Sequence, residues 1–184
     1  MNIVEEKNGT RKKISSLKKR FDEKQLLKLS REVIGSLESL EEFQKAECIF
    51  CYYSMKDEVD TRELISKYIS KKKFILPVIV GDNLVLKEFT PDGDMEKVIF
   101  GILEPQGEEF TNYKKIDLVI VPGVAFDEQK NRLGRGKGYY DRILKEIKAK
   151  KIGICFDFQL ITKVPVENFD VKLDTIVSQN TIVF

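Results

Sequence analysis

Residues 116–123, Ile-Asp-Leu-Val-Ile-Val-Pro-Gly, form the stretch whose reading decides the fold. Five of its first six residues are apolar, the run is too short for a helix, and Pro122-Gly123 stops it. A continuous rather than alternating apolar run of this length reads as a strand buried on both faces, and such strands belong to parallel sheets covered by helices. Working outward, residues 48–53 (CIFCYY), 74–80, 152–156 and 175–178 read as further strands. Residues 84–89 read as a strand hairpinned to 74–80 through Gly81-Asp82-Asn83, with an irregular middle after the loop at Pro91-Asp92-Gly93-Asp94 and an edge strand at 182–184. Between the strands, helical spacing recurs. Ile14, Leu17 and Phe21, then Leu26, Leu27 and Leu29, mark a helix over 12–28 that is interrupted near Phe21. Asp22 with Gln25 is a capping signature for a second helix reaching Leu37 or Leu40. Asp60 or Thr61 caps a third, carrying Leu64, Ile65, Tyr68 and Ile69, and another begins near Gly138 and carries Ile143, Leu144 and Ile147. Helices alternating with buried strands predict an α/β protein, a three-layer α/β/α sandwich with a mostly parallel sheet and helices on both faces, in one domain over 1–184.

Composition narrows the chemistry. The 184 residues are 42% hydrophobic and 34% charged, as in a water-soluble globular protein, with a net charge of only +2. That balance lacks the basic excess of a dedicated nucleic-acid binder. No window is long and apolar enough to span a membrane, and the opening residues hold no apolar segment that could serve as a signal peptide, so a cytoplasmic location is expected. Cys48 and Cys51 are spaced C-x-x-C within a strand, which points them to opposite faces; with Cys155 they read as buried reduced thiols rather than a metal or redox site. The chain contains no histidine. Ser-His-Asp and Cys-His catalysis and imidazole metal sites are therefore excluded, leaving carboxylates, cations, tyrosines and backbone to do any chemistry.

The roughly fifteen-residue loop after IDLVIV leaves a strand at its carboxyl end, where open α/β sheets bind ligands. It contains residues 131–141, NRLGRGKGYYD. Three glycines alternate with Arg135 and Lys137, which suits phosphate: glycine allows positive φ and close approach to backbone N–H groups, and the cations supply charge. The loop is neither a Walker A sequence nor a dinucleotide fingerprint, because Gly138 follows Lys137 and the glycines fall as G-x-G-x-G. By composition alone a solvated turn, or an RNA-phosphate contact with salt-sensitive binding, is an alternative.

The order of residues is more specific. VPGVAFDEQKNRLGRGKGYYD (121–141) closely resembles the signature of the 5-formyltetrahydrofolate cyclo-ligase (methenyltetrahydrofolate synthetase) family. The resemblance extends to Lys7 and Arg11, the S-M-x-D-E-x-D-T segment at 54–61, Pro77, Gly101, Glu104-Pro105, FDFQL at 156–160 and VPVENFDVKLD at 164–174. It implies an enzyme that closes 5-formyltetrahydrofolate to 5,10-methenyltetrahydrofolate at the expense of ATP, with ADP and phosphate released. It implies ATP contacts at Lys7, Arg11, Arg132, Leu133, Gly134, Arg135, Gly136, Lys137, Gly138, Tyr139 and Tyr140, with Arg135 and Lys137 stabilising the transferring phosphoryl group. Folate contacts are implied at Tyr53, Glu58, Arg135 and Tyr139, with Phe89 and Tyr113 as further lining candidates, and Mg²⁺ at Asp141 and Asp174. The partners expected are these two small molecules, with no nucleic acid and no membrane, and the protein is expected to act as a monomer. Another ATP-dependent kinase or ligase on the same fold is the alternative enzyme. Three positions depart from the family pattern: Thr10, Phe169, and Lys130, which stands where the family has glycine at the entry to the loop.

Overall fold

The structure, a computed structural model, describes residues 2–81, 83–90, 95–97 and 103–184. Helix α1 (Ile3–Lys18) begins nine residues before the apolar periodicity becomes visible, because Asn2 and Glu5 form a reciprocal capping box. Lys7 and Ile14 are its only buried residues, so no hydrophobic stripe announces its first turns. Helix α2 (Glu23–Glu38) starts at the expected Asp22–Gln25 capping box, and α3 (Glu41–Lys45) adds a short turn. Strand β1 (Cys48–Phe50) is shorter than the apolar run, since the chain leaves the sheet after Cys51 donates to the Ile75 carbonyl.

Helix α4 (Arg62–Tyr68) is capped by Asp60, whose carboxylate accepts from the Arg62 N–H, while the Thr61 hydroxyl turns inward to the Tyr52 carbonyl. Strands β2 (Lys73–Val80) and β3 (Asn83–Phe89) form the expected hairpin; Asp82, the loop at 91–94 and Gly101 lie outside the described residues. Strands β4 (Met95–Lys97) and β5 (Leu103–Pro105) pair separately. Then come β6 (Leu118–Val121), a small ladder of β7 (Ala125–Phe126) with β8 (Arg132–Leu133), α5 (Tyr139–Glu146), β9 (Lys150–Ile154), β10 (Thr175–Val177) and β11 (Ile182–Val183).

The main sheet runs β11-β10-β9-β6-β1-β2-β3. Its five central strands are parallel and both edges are antiparallel. Side chains alternate as the pleat requires. On one face Ile49, Leu76, Leu118, Ile120 and Ile154 pack with Val33, Leu37, Phe43 and Leu64 of α2, α3 and α4. On the other, Phe50, Ile75, Val119, Val121 and Ile176 pack with Ile143, Leu144 and Ile147 around α5. The three layers are those expected from the sequence. Cys51 lies in the first core and Cys48 in the second, and burial pushes their thiols up to about 12 and about 11, so both are inert structural residues. Helix α1 covers neither face; Ile14 packs on Ala125, Leu133 and Val164 beyond the carboxyl ends of the strands.

From β1 the chain moves to β2 on one side and later returns to place β6 on the other. The switch point thus lies between β1 and β6, and the loops leaving their carboxyl ends, 51–61 and 122–138, face each other there.

Candidate active site at the switch point

The loop after β6 is not structureless. The buried Asp127 carboxylate accepts from the Asn131 N–H and side-chain amide and from the Val164 N–H, closing the β7–β8 turn and tying it to the late segment. Lys130 within this turn has φ 65, the single positive φ on a non-glycine among the described residues, which accounts for the family's glycine there. Gln159, 3% exposed, donates from one amide nitrogen to the carbonyls of Gly123 and Val124, so the loop after β9 braces the loop after β6.

On this brace the cationic loop turns into α5. Gly136 and Gly138 have φ of 103 and 68, conformations closed to ordinary L-residues, and a Cβ on Gly136 would lie 3.4 Å from the Arg11 guanidinium. Arg11 Nε donates to the Gly134 carbonyl at 2.9 Å, so α1 grips the loop from above. Gly138 is the N-cap of α5 and makes no side-chain cap bond, which leaves the helix N-terminus and its dipole directed at the loop. Lys137 is exposed with no ion pair among the described residues. Cationic side chains and a helix N-terminus thus converge on this loop.

Across the switch point, the 51–61 loop is held by its own hydrogen bonds. The Tyr52 hydroxyl donates to the Val59 carbonyl, Ser54 donates to Asp60, and the Met55 N–H donates to Glu58 Oε2. Tyr53 is half-buried against the Phe89 ring, 6.5 Å between centroids. Glu58 Oε1 and Asp57 Oδ1 both receive Arg135 Nη2, each at 3.0 Å, so a single guanidinium joins the two loops. Burial alone would lower the Arg135 pKa, but Glu58 and Asp57 raise it overall.

The remaining expected residues are placed as follows. Lys7 lies one turn from Arg11 on the same side of α1, with its ammonium between Glu167 (2.7 Å) and Asp170 (2.6 Å); burial opposes its charge, and the hydrogen bonds it donates to Asp170 and Glu167 outweigh that to raise its pKa. Leu133 is 1% exposed under α1, so only its backbone faces the loop. Tyr139 carries the Arg142 guanidinium over its ring, while Tyr140 turns inward and stacks on Phe50 at 5.8 Å. Phe89 reaches the site through Tyr53, whereas Tyr113 precedes β6 at the amino end of the strand, away from the switch point. Arg132, 5% exposed, places Nη2 2.9 Å from Asp141 Oδ2, and Asp141 Oδ1 accepts from the Val171 N–H.

Asp141 and Asp174 are not brought together. Asp174 accepts from the Lys151 N–H, and Lys151 in turn caps the carbonyls of Ile147 and Ala149, beyond the far end of α5. From Asp141, in the first turn of α5, to Glu146 at its end the helix rises about 7.5 Å. No group of three acidic or cysteine side chains able to hold a metal occurs among the described residues. A Mg²⁺ ion held jointly by Asp141 and Asp174 therefore does not fit this arrangement, since one carboxylate is neutralised by a buried guanidinium and the other is engaged elsewhere.

Sequence reasoning missed Lys18, Asp57, Glu167 and Asp170. Lys18 Nζ meets Asp57 Oδ2 at 3.0 Å from the last turn of α1. Each is a common surface residue type, and only long-range partners mark it; the acidic pair inside MKDEVDT was the one available signal for Asp57.

Fold and site together define an α/β protein with a cationic glycine loop on one side of the switch point and a carboxylate-bearing loop opposite. The chain belongs to the 5-formyltetrahydrofolate cyclo-ligase family, whose model matches residues 3–179. It is 33% identical to the 5-formyltetrahydrofolate cyclo-ligase of Haemophilus influenzae over 144 residues, covering 73% of this chain and 77% of that one. It is 31% identical to the mouse enzyme of the same name, covering 86% and 84%. The solution structure of the Aquifex aeolicus 5,10-methenyltetrahydrofolate synthetase superposes with a TM-score of 0.85 at 36% identity, covering 96% of this chain and 91% of that one. None of the described helices is long and apolar enough to cross a membrane.

Proposed function

We propose that this protein converts 5-formyltetrahydrofolate and ATP to 5,10-methenyltetrahydrofolate, ADP and phosphate. Family membership supports the activity, and the observation that carries its placement is the Arg135 bridge to Glu58 and Asp57, which sets the anion cradle against the carboxylate loop. In this reading the nucleotide phosphates lie on residues 134–138 and the start of α5, with Arg11 and Lys7 along α1. The Glu58 carboxylate accepts N–H groups of the pterin, and Tyr53 and Tyr139 flank the flat heterocycle.

The formyl oxygen attacks the γ-phosphorus and ADP leaves. N10 then closes on the activated carbon, loses its proton, and phosphate departs. No protein nucleophile is required, as suits a chain without histidine; the protein aligns two substrates and offsets charge on the transferring phosphoryl group, the roles given to Arg135 and Lys137. Mg²⁺ enters this reading only as a companion of the nucleotide phosphates, because Asp141 and Asp174 do not converge, and no step is routed through it. The protein is read as a single-domain cytoplasmic monomer acting on small molecules.

The test is to incubate the protein with 5-formyltetrahydrofolate and Mg-ATP and follow the methenyl chromophore. Product formation that requires both substrates is the expected result. A folded protein that binds ATP and yields no chromophore refutes the substrate assignment.

A further inference from the structure

Arg135 is held in an unusual way. Both of its carboxylate contacts, to Asp57 Oδ1 and Glu58 Oε1, use the same nitrogen, Nη2. No protein hydrogen bond to Nε or Nη1 occurs among the described residues, and the side chain is 51% exposed. A guanidinium tied only at Nη2 keeps the Nε hydrogen and both Nη1 hydrogens available as charge-assisted donors to phosphoryl oxygens, and release of Glu58 would free an Nη2 hydrogen beside them.

The two ties are not equivalent. Glu58 has Oε2 on the Met55 N–H, and Oε1 is the atom that a pterin would compete for in the reading above. When folate binds, Glu58 exchanges a cation for neutral N–H donors. Asp57 faces no such exchange: its second oxygen is anchored by Lys18, whose side chain is 15% exposed, and its carboxyl stays ionised because Lys18 and Arg135 overcome the opposing effect of burial.

We propose that Asp57 is the positioning residue for phosphoryl transfer, the carboxylate that keeps Arg135 aimed at the transferring group after folate has taken Glu58. The Lys18 anchor completes the device. Two cations and two carboxylates make a neutral cluster, so an acidic positioning residue adds no net negative charge beside a polyanionic nucleotide. The inference rests on the proposed role of Arg135 in the cyclo-ligase reaction.

The test is steady-state kinetics on the wild type, Asp57→Asn, Arg135→Lys and the double variant, each with its thermal unfolding curve. A group that acts through Arg135 in the transition state is expected to lower kcat by about 10-fold or more, with KM for ATP changed by less than about 3-fold. The double variant is expected to be no slower than Arg135→Lys alone, since the second substitution removes nothing further. Asp57→Glu should recover part of kcat. Should Asp57→Asn fold poorly, Lys18→Met removes the anchor instead and should give the same split at smaller size.

Multiplicative losses in the double variant, an unchanged kcat in Asp57→Asn, or losses that merely track a lower Tm overturn the assignment. An inactive wild type overturns the proposed function itself, which separates the two failures.

Discussion

The Arg132–Asp141 pair offers the sharpest test of the structural reasoning, because the family resemblance alone makes Asp141 a metal ligand whereas the structure makes it the counter-ion of a buried guanidinium. The Arg132 side chain is 3% exposed, Nη2 is 2.9 Å from Asp141, Nη1 reaches the Pro122 carbonyl at 3.3 Å, and Nε has no partner. Removing the carboxylate leaves a buried charge with one neutral acceptor. Breaking a buried pair from one side costs about 3–5 kcal/mol, and the 17% exposure of Asp141 places the expected loss for Asp141→Ala toward the lower end. For a domain of this size about 3 kcal/mol corresponds to a fall in Tm of roughly 6–12 °C.

Asp141→Asn keeps one acceptor oxygen for either Arg132 or Val171 and should lose about half as much, on the order of 1–2 kcal/mol. The double variant Arg132→Met/Asp141→Ala should be more stable than Asp141→Ala alone, since the stranded charge goes with its partner. The assay is thermal and urea unfolding of the protein with nucleotide and divalent cations absent. A Tm for Asp141→Ala within about 2 °C of wild type, or a double variant less stable than the single, refutes the reasoning and returns Asp141 to a purely ligand-binding role.

Lys130→Gly should stabilise the protein by about 0.5–1 kcal/mol, the relief of a left-handed side chain less the added freedom of the unfolded chain; unfolding curves check it, and a lower Tm counts against the turn geometry. Asp60 accepts from Ser54 and from the Arg62 N–H and guanidinium; burial opposes its ionisation, but these bonds lower its pKa overall. A lowered folded-state pKa contributes stability above the ordinary aspartate value of about 3.9 and loses it as pH falls through the folded value. Asp60→Asn should therefore cost about 1.5–3 kcal/mol at pH 7 and progressively less as pH falls below about 3.9, and a loss that does not change with pH would show that its charge is irrelevant. Gly136→Ala, at φ 103 and against Arg11, should reduce kcat/KM for ATP by about 10-fold or more while the Tm moves little, because the strain falls on an exposed loop; unaltered kinetics would place the phosphates elsewhere.

The sheet was largely legible because its strands are buried on both faces, and burial of that kind leaves continuous apolar runs such as IDLVIV and CIFCYY. Boundaries were less so. Helix α1 escaped notice over its first turns because they rest on a capping box and a buried lysine rather than an apolar stripe, and the fifteen-residue loop concealed a ladder held by the carboxylate of Asp127.

By itself the sequence determined the chemistry available to this protein: no imidazole, a cationic glycine loop after a buried strand, an acidic segment after another, and an order of motifs that belongs to one family. Continuous apolar runs and helical apolar spacing carry local structure, and glycine at required φ carries loop geometry. Which charges meet was decided only by the tertiary structure. Lys18, Asp57 and Arg135 are 39 and 78 residues apart in successive pairs, and Asp141 faces Arg132 rather than Asp174, because ion pairing depends on distance in space and on burial, neither of which spacing along a chain records.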